Sequence, residues 1–196
     1  MTSNNRYDIL DVQEVIKMKR TKLDDRELPD YTRGEEIFNM VTHIVGAAFG
    51  VAALVLCIIF SCLHHNGYGL ASGIVYGVSM IVLYTMSSIY HGLSPKLKAK
   101  KVFQIMDHCS IFVLIAGTYT PVLLCSVRLA DPFWAWVLFG IVWTVTILGI
   151  ALNAYDINKF AKFSMACYLI LGWCIVFNFN LLPGTVGMNG IYLLVA

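Results

Sequence analysis

The chain has 196 residues, 58% of them hydrophobic and only 13% charged, with a formal net charge of +2 and a mean hydropathy of +0.71. A soluble domain is about 45–50% apolar and about 25% charged; this composition argues against that class, and against a disordered chain or a small disulfide-stapled one. The surplus apolar surface calls for lipid. Residues 1–40 hold 16 of the 26 charged side chains, and roughly 26 residues per span and loop divides the remainder of the chain into about six membrane helices.

Residues 1–34 form a polar arm with no signal-peptide pattern. Within it, Ile9, Val12, Val15, Ile16 and Lys19 recur at helical spacing, which predicts a short amphipathic helix on the membrane surface or on a partner. Leu28-Pro29-Asp30-Tyr31 ends that helix, and Thr32-Arg33-Gly34-Glu35 matches a capping box with Thr32 at the N-cap. From there a transmembrane helical domain runs over 35–196. Its apolar segments fall at 41–63, 68–90, 102–126, 133–153 and 160–181, each long enough to cross about 30 Å of hydrocarbon. A sixth begins near Asn189 and has run eight residues at Ala196, so the expectation is five complete spans and an interrupted sixth.

Orientation follows from lysine and arginine. The arm carries seven, the loop after the second segment four (Lys96, Lys98, Lys100, Lys101), and the loop after the fourth two (Lys159, Lys162). The intervening loops carry only Arg128. Thirteen against one predicts that the arm and the lysine loops are cytoplasmic. No dense basic face favours nucleic acid, and membrane lipids are the expected partners. The six cysteines lie in apolar runs without a C-x-x-C pair and read as small hydrophobes. Nucleotide-loop and serine-hydrolase motifs are absent from the sequence.

With that orientation, polar groups from three helices share one depth. Glu35, Glu36 and His43 open the first span, Ser87, Ser88 and His91 close the second, and Asp107 and His108 open the third. Ionisable residues at the edge of or inside such segments are costly and are candidates for function. Ser87 and His91 are four apart, on one helix face, so the hydroxyl can orient the imidazole. Asp107 near a histidine suits metal ligation or general-base work on a metal-bound water; it also suits a helix cap. His43 and Glu35 are peripheral candidates, with an interfacial hydrogen bond and a cap as their plainer readings. His108 reads as packing, and His64 and His65 as solvated. Pro121, in the run Ala116-Gly117-Thr118-Tyr119-Thr120-Pro121, should kink the third span.

These residues resemble the motifs of bacterial hemolysin III proteins. Glu35-Glu36-Ile37-Phe38-Asn39 with Thr42-His43 and Gly46 is similar to the first motif. Ser87-Ser88-Ile89-Tyr90-His91, then Asp107-His108-Cys109-Ser110-Ile111 and the run ending at Pro121, are similar to the next two. The family is related to the progestin and adiponectin receptors and, distantly, to the alkaline ceramidases. The resemblance implies an all-α polytopic fold of seven transmembrane helices in the bacterial plasma membrane, with a cytoplasmic N-terminus. It also implies a zinc site on the cytoplasmic side, with His91 as a ligand, Ser87 supporting it, and Asp107 holding or activating the metal-bound water. Two further ligands come, in the family, from a histidine-x-x-x-histidine on helix seven, and this sequence has no such pair. Three functions stay open: a zinc-dependent lipid amide or ester hydrolase, a membrane-lytic protein, and a non-enzymatic sensor or regulator of membrane lipid state.

Overall fold

The computed structural model describes residues 20–174 together with Leu182 and Gly184. The expected amphipathic helix, the end of the fifth segment and the sixth segment lie outside the described residues. Those described are helical, without a strand, and four helices are long and apolar enough to cross a membrane.

Helix α1 spans Arg33–Leu63. Its start is the expected capping box: Glu35 N donates to Thr32 Oγ1 at 3.3 Å, and Thr32 N donates to Glu35 Oε2 at 2.8 Å. Helix α2 spans Gly67–Gly92, and Asn66 caps it by accepting from Gly69 N at 2.9 Å. Helix α3 spans Lys98–Val122 and runs on through a π turn at Leu123–Val127 and a last turn at Arg128–Ala130. The irregularity expected at Pro121 takes this form. Proline has no N–H to give to the carbonyl one turn back, and the helix widens immediately after it. Thr120 Oγ1 meanwhile donates to Ala116 O at 2.7 Å.

Helix α4 spans Pro132–Trp173, with Asp131 accepting from Trp134 N at 3.0 Å and Pro132 in the first turn. The fourth and the start of the fifth predicted segments both lie on this element. It is divided at Asp156, whose φ of −158° and ψ of 97° are extended. Asp156 Oδ1 accepts from Asn158 N at 3.2 Å and Lys159 N at 3.4 Å, so it acts as the N-cap of the second stretch.

Small residues let the helices approach closely. A Cβ on Gly73 would lie 2.6 Å from Cys57 Cβ, and one on Gly77 would lie 2.6 Å from Leu54 Cβ, so α1 and α2 meet along this stripe. Helix α3 is the central element. Its Phe112, Ala116, Tyr119, Leu123 and Val127 pack with Ala135, Leu138, Val142, Cys167 and Leu171 of α4. Helix α1 keeps a broad apolar face exposed, including Phe38, Phe49 and Phe60, as a helix bordering lipid does.

Candidate functional site

One end of the bundle gathers the start of α1, the end of α2 and the start of α3, and the polar side chains there are sorted by helix phase. Glu35 faces outward, where Oε2 takes both the backbone N–H and the hydroxyl of Thr32. Its neighbour Glu36, one position and about 100° around the helix, faces inward. Glu36 Oε2 is 2.6 Å from His91 Nδ1, and Oε1 accepts from Lys100 Nζ at 2.7 Å. The His91 side chain is 8% exposed and Lys100 is 2% exposed.

Lys100 also donates to Tyr90 O at 3.1 Å and Leu93 O at 3.0 Å. Both carbonyls belong to the C-terminal end of α2, where a cation complements the helix dipole. The ammonium lies 4.9 Å from the centre of the Tyr90 ring. Lys100 thus joins α3 to α2 and, through Glu36, to α1.

The His91 ring stacks on His43, with centroids 6.0 Å apart and planes 10° apart, and meets the edge of Tyr31 at 5.6 Å. Ser87 Oγ lies 3.4 Å from His43 Nδ1. The hydroxyl expected beside His91 therefore contacts the histidine of α1. One helical turn separates Ser87 from His91 along α2, and the His43 ring contacts both. Asp107, 13% exposed in its side chain, has His108 Nδ1 at 3.9 Å. No hydrogen bond among the described residues joins its carboxylate to His91 or Ser87. His108 Nδ1 is bonded to Gln104 O of its own helix at 2.9 Å, and Tyr168 of α4 donates to His108 O at 2.8 Å.

A pocket of about 580 Å³ opens beside this cluster, lined by Tyr31, Arg33, Glu36, Met40, His91 and Lys100 among others. Of the residues the sequence singled out, the structure brings His91, His43 and Ser87 together; Glu35 serves as a cap, and Asp107 makes no hydrogen bond to them among the described residues. Sequence reasoning missed the centre of the cluster. Glu36 was in view but without a partner, and Lys100 was counted only as a loop charge. A lysine set four residues before Gln104 and eight before His108, on one helix face, was the available signal.

The arm adds a second polar contact region. Thr21 N donates to Asp156 Oδ2 at 2.8 Å, and Arg26, 2% exposed, donates from Nη2 to Tyr155 O at 3.2 Å. Asp24 pairs with Lys98 at 2.7 Å, and its carbonyl accepts from Lys101 Nζ at 2.7 Å. The hydrogen bond from Lys98, and then its charge, hold the Asp24 carboxyl below its ordinary range. The arm is thereby tied to the start of α3 and to the break in α4.

A family model described as Haemolysin-III related matches residues 31–191. The chain belongs to that family. It is 40% identical over 162 residues to Hemolysin-3 of Bacillus cereus, covering 83% of this chain and 72% of that protein. It is 35% identical over 164 residues to the Hemolysin-3 homolog of Bacillus subtilis (strain 168), covering 84% of this chain and 75% of that one. No solved structure matches. The haemolysin-III assignment and the four long apolar helices together make this a multi-pass helical membrane protein. The matched region takes in all of the Glu36–His91–Lys100 cluster.

Proposed function

We propose that this haemolysin-III family protein is a membrane-embedded hydrolase that cleaves an amide or ester bond of a membrane lipid with the help of a metal ion, zinc by the family resemblance. The observation that carries the reading is the buried, three-helix polar cluster around His91 beside a pocket of about 580 Å³. The described residues fit one corner of a metal site and not a whole one. No group of three or more His, Cys, Asp or Glu among them could hold an ion. His91 would be the histidine ligand this chain supplies, and the family's histidine pair is not in the sequence. A bound zinc supplies a water that ionises near pH 7. Asp107 is the carboxylate available to take up a proton from the attacking water, and Ser87 supplies a hydroxyl 3.4 Å from His43 Nδ1.

In this reading the arm and the lysine loop are cytoplasmic. Five spans fall within residues 35–181 of a seven-helix bundle, α4 counting as two on either side of Asp156, and the lipid enters from the bilayer. The test is turnover by purified protein in nanodiscs across a panel of amide- and ester-linked lipids, read by mass spectrometry of released fatty acid. Release is expected to stop in His91→Ala and after chelation; release that survives both defeats the reading. The names of the two Bacillus relatives favour a second reading, membrane lysis. Dye leakage from liposomes at low protein density, undiminished in His91→Ala, would support it.

A further inference from the structure

The contacts around Glu36 determine which nitrogen of His91 is available for chemistry. Lys100 can only donate, and its three protons have three acceptors: Glu36 Oε1 at 2.7 Å, Tyr90 O at 3.1 Å and Leu93 O at 3.0 Å. The ammonium is pinned and buried, and it forms an ion pair with Glu36 through Oε1, leaving Oε2 for His91. An ionised carboxylate has no proton to give, so the 2.6 Å contact between Oε2 and Nδ1 requires an N–H on Nδ1. Ser87, the residue spacing suggested for orienting this ring, contacts His43 instead.

We propose that Glu36 is the positioning residue of His91: it holds the neutral imidazole as the Nδ1–H tautomer and leaves Nε2 as the bare nitrogen that binds or accepts. A carboxylate behind an imidazole is the arrangement that orients histidine ligands in metal sites generally. The chemical consequence of this assignment rests on the hydrolase reading, whereas the tautomer is measurable without it.

The experiment is ¹⁵N NMR of the histidine-labelled full chain in nanodiscs near pH 9, above the ordinary imidazole range of about 6.5. His91 is assigned by loss of its signals in His91→Gln. The wild-type ring is expected to show its bare-nitrogen resonance at Nε2. Glu36→Gln should exchange the two resonances. Lys100 must then take the carbonyl oxygen of the substituted side chain, which turns the amide NH₂ toward Nδ1 and obliges that nitrogen to accept. Ser87→Ala should leave the wild-type pattern. A wild-type ring protonated at Nε2, an unchanged pattern in Glu36→Gln, or an exchange in Ser87→Ala overturns the proposal. If Glu36→Gln does not fold, the wild-type and Ser87→Ala spectra decide it. Lipid turnover separates the two readings. A bare Nε2 without turnover upholds the tautomer and sinks the hydrolase, and turnover with an Nε2–H ring does the reverse. Where both hold, Glu36→Gln should slow turnover about 10–100-fold.

Discussion

Two adjacent glutamates divide the work at the start of α1. Glu35 was legible because its partner is three residues away in a known pattern; Glu36 was not, because His91 and Lys100 lie 55 and 64 positions further on. The same holds for Ser87, whose spacing to His91 was visible while its contact with His43 of α1 was not. Removing Lys100 should therefore be costly. Lys100→Met leaves the half-buried Glu36 carboxylate without its cation, and breaking such a pair costs about 3–5 kcal/mol. Thermal unfolding in detergent should fall sharply for Lys100→Met and hardly move for Lys98→Met, whose side chain is 75% exposed. Comparable midpoints for the two variants would remove Lys100 from the centre of the cluster. The arm has a pH signature of its own. The Asp24 carboxyl is lowered from its ordinary 3.8, so its contribution is complete above that value and is lost as pH falls through the lower folded value. Hydrogen exchange of residues 20–26 should stay slow from pH 7 to pH 4 and quicken only below that; quickening already between pH 6 and 5 would contradict the Lys98 tether.

At the scale of elements, the apolar lengths in the sequence predicted most of what forms. The first three segments lie on α1, α2 and α3, and the Thr32 cap and the Pro121 irregularity fall where expected. The polar gap near 156 was legible as an interruption but not as a cap. An aspartate that accepts from Asn158 and Lys159 while also holding Thr21 depends on an arm 135 residues earlier in the chain. Helix contact is decided by shape, and here glycine gives a matched pair of predictions. Gly77→Val should destabilise by about 1–3 kcal/mol or more, because its Cβ would meet Leu54 Cβ at 2.6 Å and Leu54 Cα at 2.8 Å, and backbone cannot move aside as a flexible side chain does. Gly140→Ala has nothing within 4 Å of the added carbon and should be neutral or stabilising by about 0.5–1 kcal/mol through helix propensity. Unfolding midpoints in one lipid environment compare the two directly, and equal losses would mean that the α1–α2 approach is not the constraint.

For the molecule as a whole, composition alone called for lipid, and the family and the long apolar helices agree with it. What composition could not reveal is that, among the described residues, α3 takes the centre of the packing while α1 keeps an apolar face exposed, since both helices are apolar and only long-range contacts distinguish them. Direction in the membrane is the property that lysine and arginine govern. The bias of thirteen to one includes Lys100, which the structure shows held internally and so unavailable to headgroups or the translocation machinery once folded. Discounting it leaves twelve against one, and the expectation of a cytoplasmic arm does not depend on it. A cysteine-free background tests this with two exposed loop positions, Ser94 beside the lysine loop and His65 in the turn between α1 and α2. In intact spheroplasts an impermeant maleimide should label His65→Cys at once and Ser94→Cys only after permeabilisation. The opposite order would invert the protein and turn the pocket beside His91 away from the cytoplasm, so a substrate reaching it would come from the outer leaflet.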